Sequence, residues 1–298
     1  MKITEILKSN TGKENKEVTL VTHKGPFHAD ETAATAILKR LFEAENYKVN
    51  IIRTFDVTEY IDKPNHIIYD IGNGEYDHHQ INDNHCLRED NDGVTRKYSS
   101  VGLIWKEIGR HFISEKYTDE VYNNFIKYID DTDNGFGPNP LSYVISAMNN
   151  VYIPQMSEDD INTNGFYQAV RVMTELFIFI ISSIHKKEAE ENEIKIAINE
   201  YYNNGTCYVA TEKYFSGMIT ACTRENIPFY IYPNVRGGYC FRTIPIAGGD
   251  MNDHIIDIPQ SVRDWEGVTF LHPSAFLGSA ETKERAIEIV EKIASGNY

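Results

Sequence analysis

Apolar runs and one helical stripe alternate along the first seventy residues. Val18-Thr-Leu-Val-Thr22 reads as a buried strand, and Glu31 to Glu45 places Ala34, Ile37, Leu38, Leu41 and Phe42 at helical spacing. Asn50-Ile-Ile-Arg-Thr54 and His66-Ile-Ile-Tyr-Asp70 supply two further strands. Strand, helix, strand, strand is the opening of a parallel α/β sheet, and such sheets bind ligands at the carboxyl ends of their strands. The polar residues 10–17 ahead of this pattern read as a loose arm.

Ser99-Ser-Val-Gly-Leu-Ile-Trp-Lys-Glu-Ile opens a helix with Ser99 or Ser100 as N-cap. Thr118 to Asp130 is another, closed by Asp133-Asn-Gly135 and a Gly-Pro-Asn-Pro breaker. Gly165 to Asn203 reads as nearly continuous helix, apolar in its first half and charged in its second, which suggests a helix leaving one domain for the next. After Asn203-Asn-Gly205 the texture changes to short strands (206–210, 228–232, 239–244 and 268–271) and a final helix from Thr282 to Ala294. The expected fold class is α/β: a parallel-sheet domain over residues 1–185, a linking helix over 186–204, and a smaller α/β domain over 205–298.

Composition narrows the function classes. A net charge of −15 argues against broad binding to duplex nucleic acid, which depends on neutralising phosphates with Lys and Arg. Cys86, Cys207, Cys222 and Cys240 form no close pair and read as free thiols in a reducing compartment. Met1-Lys-Ile-Thr-Glu-Ile-Leu-Lys is too polar and acidic for a secretory or transit signal, and the most apolar stretch, Leu176 to Ile184, is too short for a bilayer span. The expectation is a soluble, intracellular chain with no membrane partner, cytoplasmic by its N-terminus.

Chemistry concentrates in Val21-Thr-His-Lys-Gly-Pro-Phe-His-Ala-Asp-Glu31, Ile67-Ile-Tyr-Asp-Ile-Gly72 and Asp77-His-His79. His23, His28, Asp30, Asp70, Asp77, His78 and His79 all fall at or just after the ends of apolar runs. Imidazole and carboxylate are the donors that hold Mn, Fe or Zn. A hydrolase using two such ions needs a carboxylate able to bridge them; water is then activated near neutral pH and charge on phosphoryl oxygens is stabilised. Asp70, at the end of an apolar strand, is placed to bridge, because a carboxylate there is costly to bury unless paired or ligated. Ser99 and Ser100 read as a cap rather than a nucleophile, since no activating base is spaced for them.

His23-x-Gly-x-Phe-His28-Ala-Asp30-Glu31, Asp70-Ile-Gly-x-x-x-x-Asp77-His-His79, Ser99-Ser-x-Gly-Leu-Ile-Trp105 and Asp130-x-x-Asp133-Asn-Gly135 resemble the ordered blocks of the melanocyte-proliferating-gene (MYG) family of the DHH phosphoesterase superfamily, whose members are also labelled metal-dependent protein hydrolases. Phe270-Leu-His-x-x-x-Phe276 and Thr282-x-x-x-Ala286 resemble its C-terminal block. The resemblance implies a DHH-type catalytic domain, a substrate-binding C-terminal domain and a site of two Mn²⁺ between them, with Mg²⁺ or Zn²⁺ as alternatives. It assigns His23, His28 and Asp70 to one ion, and Asp30, Asp70, His78 and either Asp130 or Asp133 to the other. Asp77 would orient His78, and His79 would face the scissile phosphate. Asp131 is a third acidic residue in that block that the pattern does not require.

In the C-terminal region Arg236-Gly-Gly-Tyr-Cys-Phe-Arg242 combines cations, a glycine turn and aromatics suited to a phosphate, with Arg242 the better match to the family. Gly237-Gly238 is equally an ordinary hairpin turn, and His272 is either a cleft residue or a structural one. The leading expectation is a metal-dependent phosphoesterase, a 3′–5′ exonuclease on single-stranded RNA or short oligonucleotides. The alternatives are a phosphohydrolase of pyrophosphate or a cyclic dinucleotide, and a non-catalytic metal-binding interaction protein. Oligomeric state stays open, a homodimer included, and the resemblance also admits nucleus or mitochondrion.

Overall fold

Lys16–His23 forms β1, the middle strand of a three-stranded parallel sheet in a computed structural model that describes residues 2–80, 84–90, 92–250 and 252–296. The chain divides into two compact units, residues 1–184 and 185–298.

In the first unit β1 pairs with β2 (Tyr47–Thr54) along its whole length, Val18 opposite Val49 and His23 opposite Thr54. On its other side β1 pairs with β3 (His66–Ile68), Leu20 opposite Ile67. The order β2-β1-β3 brings the carboxyl ends of all three strands to one edge. The crossover helix α2 (Ala29–Ala44) buries Ala33, Ala36, Ile37, Leu41 and Phe42, the spacing the sequence shows, and also Thr32 and Thr35. Each large apolar side chain so buried contributes about 1.5–3 kcal/mol.

Residues 3–9 form an N-terminal helix, α1 (Ile3–Ser9), whose Ile3 and Ile6 are fully buried; Asn10 too is buried, so the arm expected over residues 10–17 begins on a packed residue and ends inside β1. A hairpin of β4 (Leu87–Glu89) and β5 (Thr95–Lys97) precedes α3 (Ser100–Ile108). The helix expected over 118–130 is three pieces: α4 (Glu115–Val121), a π-helical turn over Tyr122–Ile126 and α5 (Lys127–Asp133). The next helix, α6 (Pro140–Ala147), is capped by Asn139, whose side chain accepts from the Leu141 amide.

The long helix α7 runs from Glu158 to Asn204, starting about two turns before the sequence expectation. Phe166, Ala169, Val170, Met173, Phe177, Ile181 and Ile184 belong to the core of the first unit; Ile194, Ala197 and Ile198 belong to that of the second. One stretch of α7, one-third buried, is long and apolar enough to cross a membrane by length and composition. This revises the expectation that the apolar stretch falls short of a span; buried helices of soluble proteins meet the same criterion.

The second unit carries a five-stranded sheet. β6 (Tyr208–Ala210) lies parallel to β7 (Phe229–Pro233), which with β8 (Tyr239–Thr243), β9 (Val268–Leu271) and β10 (Leu277–Ala280) gives the order β6-β7-β8-β10-β9. β10 and a short helix, α8 (Met218–Arg224), are additions to the sequence reading. The last helix, α9 (Lys283–Ser295), buries Ala286, Ile289, Val290 and Ile293 against the sheet and is capped by Thr282. Among the described residues no cysteine is in a disulfide.

Candidate metal centre

The end of β1 and the two residues after β3 define one cavity of about 890 Å³ in the first unit, lined by His23, His28, Asp30, Asp70, Asp77, His78, His79 and Asp133 among others. Local backbone geometry sets each of these side chains. Tyr69 continues the pairing with β1 by donating its amide to the Val21 carbonyl at 3.0 Å. Asp70 then takes a left-handed conformation (φ +56°), as do Gly72 and Asn73, which reverses the chain. A β-carbon on Gly72 would meet Val57 at 2.8 Å, so the tight reversal needs glycine there. The reversal returns Asp77, His78 and His79 beside Asp70, and a non-glycine residue held at positive φ is a strain that functional sites retain.

His23 sits at the end of β1 with Nε2 at 3.0 Å from Glu31 Oε1 and 3.2 Å from Asp70 Oδ2. Burial disfavours charge on this ring, yet the bonds to Asp70 and Glu31 outweigh it and hold its pKa up at about 10. The loop after it is fastened by Arg53, whose guanidinium donates to the carbonyls of His23 (3.2 Å) and Gly25 (2.7 Å) and lies over the Phe166 ring. His28 is the N-cap of α2; its amide donates to both oxygens of the buried Glu31. His23, His28 and Glu31 form one group of donor atoms lying within 4.8 Å of one another.

Asp30 is fully buried and caps α3 from a distance. Its carboxylate accepts from the Ser100 and Val101 amides at 3.1 and 2.7 Å, two donors a helix start leaves unpaired. Ser99 is indeed at the N-cap position, but its hydroxyl makes no cap bond. It lies instead 2.6 Å from Asp30 Oδ1 and 2.7 Å from Asp130 Oδ1. One hydroxyl hydrogen serves one oxygen, so the second contact calls for a proton on a carboxyl. Burial pushes Asp130 up to about 7, and its other oxygen accepts from the Tyr122 hydroxyl at 2.8 Å.

His78 Nε2 lies 2.9 Å from Asp133 Oδ2, while Nδ1 lies 3.6 Å from Asp70 Oδ1 and 3.9 Å from Asp30 Oδ2. Burial lowers and the Asp133 bond raises its pKa, with a net rise to about 9. Asp30, buried and facing Asp70 and Asp133, is raised well above the carboxylate range. Asp30, His78 and Asp133 form a second donor group; Asp70, Asp77, His78 and His79 form a third. Asp77 pairs with the ring of His79 (2.7 Å) rather than that of His78. Burial opposes its charge, but bonds from His79 and the Asn73 amide hold its pKa down at about 2. His79 is exposed at the mouth of the cavity.

Four carboxylates and several imidazoles share this cavity, and two buried atoms in it, Asp70 Oδ1 and His78 Nδ1, have no hydrogen-bond partner among the described residues. Native folds pair nearly all such atoms. The donor set and its orphaned atoms fit divalent transition metals, which accept imidazole and carboxylate together.

The structure sorts the acidic block near residue 130. Asp133 joins Asp30 and His78; Asp130 is turned to Ser99 and Tyr122 and does not line the cavity; Asp131 is engaged by Arg88 and Lys127. In the second unit Arg236, Gly237 and Gly238 line a cavity of about 670 Å³ at the β7–β8 turn, where a β-carbon on Gly238 would collide with the Ala280 carbonyl. Arg242 is not among its lining residues. Its guanidinium stacks on Phe276, with a buried Nε lacking a partner, and His272 packs on the same ring while accepting from the Ser274 amide.

A family model described as Uncharacterised protein family (UPF0160), MYG1_exonuc, matches residues 19–293. The chain belongs to this family. An MYG1 protein of Schizosaccharomyces pombe is 33% identical over 159 residues, a match spanning 48% of this chain and 47% of that one. An MYG1 protein of Saccharomyces cerevisiae is 23% identical over 324 residues, covering 91% and 94%. A Rattus norvegicus protein named MYG1 exonuclease is 24% identical, covering 90% of this chain and 82% of its own. No solved structure matches. Within the MYG1 match lie all seven histidines and aspartates singled out from the sequence, together with Glu31, Lys97 and Ser142, which that reading did not place in the site. Only Glu31 carried a local signal, being spaced from His28 as a capping-box acid.

Proposed function

We propose that this protein is a divalent-metal-dependent phosphoesterase acting as a 3′–5′ exonuclease on single-stranded RNA or short oligonucleotides. The observation that carries the reading is Asp70: a buried carboxylate in a strained backbone conformation, with Oδ2 toward His23 and an unpartnered Oδ1 toward His78. His23, His28, Glu31 and Asp70 would hold one ion; Asp30, Asp70, His78 and Asp133 would hold the other, two Mn²⁺ being the natural choice for this mixture of donors. Metal bound there supplies Lewis acidity toward phosphoryl oxygens and lowers the pKa of water.

The chain's own groups supply the rest. His79, exposed at the mouth and oriented by Asp77, meets the phosphate and donates a hydrogen bond to it. Arg53 and Glu31 hold the His23 loop, and Ser99 with Asp130 holds Asp30. Arg236, Gly237, Gly238, Arg242 and His272 are the substrate-binding residues proposed for the second unit. The relatives named exonuclease support the nuclease reading, and a net charge of −15 favours short strands over long ones.

The test is hydrolysis of 3′-labelled single-stranded RNA, pyrophosphate and a cyclic dinucleotide by chelator-treated protein with and without added Mn²⁺. Stepwise shortening of RNA from the 3′ end only with Mn²⁺ is expected. Turnover confined to pyrophosphate or the cyclic dinucleotide would replace the exonuclease reading, and no Mn²⁺-dependent turnover would contradict it.

A further inference from the structure

Lys97 is the one lysine or arginine among the described residues lining the candidate metal cavity, which otherwise carries Asp30, Asp70, Asp77 and Asp133. It stands at the end of β5, and its ammonium donates to the backbone carbonyls of His78 (3.3 Å) and Gln80 (3.1 Å). An ammonium has three donors, and these carbonyls take two. No carboxylate of the described residues pairs with it, although elsewhere in the unit Arg88, Arg96 and Lys127 are each bound to aspartates.

Ser142, on α6, lines the same cavity and is buried, with an Oγ that has no hydrogen-bond partner among the described residues. A helical serine commonly returns its hydroxyl to a carbonyl one turn back; this one does not. Ser146, one turn further along α6, lines the cavity as well. A cation that no carboxylate of the described residues pairs with, carrying a spare donor, and an orphaned buried hydroxyl are complementary to one ligand chemistry, the non-bridging oxygens of a phosphate.

We propose that Lys97 and Ser142 form an anion subsite for a second, non-scissile phosphate of the substrate. The subsite rests on the phosphoesterase reading and sharpens it. The cavity would take an oligonucleotide by two phosphates, one at the metal ligands and one at Lys97 and Ser142. This arrangement also explains how a strongly acidic chain draws in an anion, since the subsite cation lies within the cavity rather than over the surface.

The experiment compares a dinucleotide carrying a single phosphodiester with the same dinucleotide bearing an added 5′-phosphate, and both with pyrophosphate, using Mn²⁺-loaded protein. The wild type is expected to show a KM about tenfold lower for the 5′-phosphorylated dinucleotide. Ser142→Ala is expected to erase that preference by raising KM for this substrate alone, without a matching fall in kcat. Lys97→Gln is expected to do the same and Lys97→Arg to recover part of it, with Mn²⁺ titrations run alongside because this ammonium also holds the His78 loop. A preference of the same size for pyrophosphate, lost in the same variants, would assign the subsite to any free phosphate and overturn its assignment to an oligonucleotide.

The melting temperature of metal-free Ser142→Ala gives a readout independent of turnover. Removing an unpartnered buried hydroxyl is expected to leave it equal or higher. A lower melting temperature would mark the hydroxyl as structural and overturn the proposal, as would an unchanged KM preference in Ser142→Ala. Absence of Mn²⁺-dependent hydrolysis of both dinucleotides would overturn the phosphoesterase reading itself. Hydrolysis of both with equal KM would overturn the subsite alone.

Discussion

Asp70 Oδ1 faces His78 Nδ1 across 3.6 Å, and neither atom has a hydrogen-bond partner among the described residues although both are buried. A carboxylate oxygen and a ring nitrogen that close would ordinarily close into a bond or be separated by a third group. Asp70 is held at positive φ by the reversal through Gly72 and Asn73, and His78 by its bond to Asp133. The separation is therefore built into the backbone, and a cation would satisfy both atoms at once.

The acidic block around residue 130 gives the sharpest mutational contrast. Asp133→Asn is expected to weaken Mn²⁺ binding at least about tenfold, a loss that even the outer partners of metal sites produce. Asp130→Asn is expected to leave Mn²⁺ affinity within about threefold, because Asp130 meets Ser99 in the manner of a protonated acid, which an amide can imitate. Calorimetric Mn²⁺ titration of both variants checks this, and the reverse order of effects would exchange the two roles.

Metal affinity should rise with pH. His23 and His78 have pKa values raised to about 10 and about 9, so at neutral pH the metal-free rings hold protons that a ligating nitrogen must release. Each proton released adds about tenfold in affinity per pH unit below those values. Mn²⁺ titrations at three pH values from mildly acidic to mildly basic should show this climb, and a flat profile would remove both rings from the ligand set. Without metal the same shifts act on stability with the opposite sense. Their contribution is fully present below about pH 6.5, the unfolded histidine value, and is lost as pH rises through about 9 to 10.

Arg53 reaches the site only through the backbone carbonyls of His23 and Gly25. Arg53→Met keeps a long apolar stem over Phe166 while removing those bonds. It is expected to reduce Mn²⁺ affinity about tenfold and to lower the melting temperature of the metal-free protein. Equal affinity in this variant would mean that the loop holds His23 unaided.

The sheet of the first unit was legible because its strands are short apolar runs and its ligand residues stand where those runs stop; His23 and Asp70 need no more than that rule. What escaped was decided by residues distant in sequence. Asp130, Asp131 and Asp133 are indistinguishable by spacing, and their separation depends on Ser99, Arg88 and His78. Ser99 reads as a cap because it occupies the cap position, yet its hydroxyl is drawn to Asp30, 69 residues away, whose carboxylate caps the helix in its place. Asp77 stands directly before His78, but the ring it holds is that of His79. Lys97 and Ser142 belong to residue types that are ordinary surface choices, and only the folded cavity leaves one without a carboxylate partner and the other without a hydrogen-bond partner among the described residues.

The most direct measurement of the central claim is the number of Mn²⁺ ions bound per chain, by calorimetry on chelator-treated protein, for the wild type and Asp70→Asn. If Asp70 joins two metal positions, the wild type binds two ions and the variant loses affinity for both while keeping its fold by circular dichroism. No saturable Mn²⁺ binding by the wild type, or unaltered binding of both ions by Asp70→Asn, would contradict it.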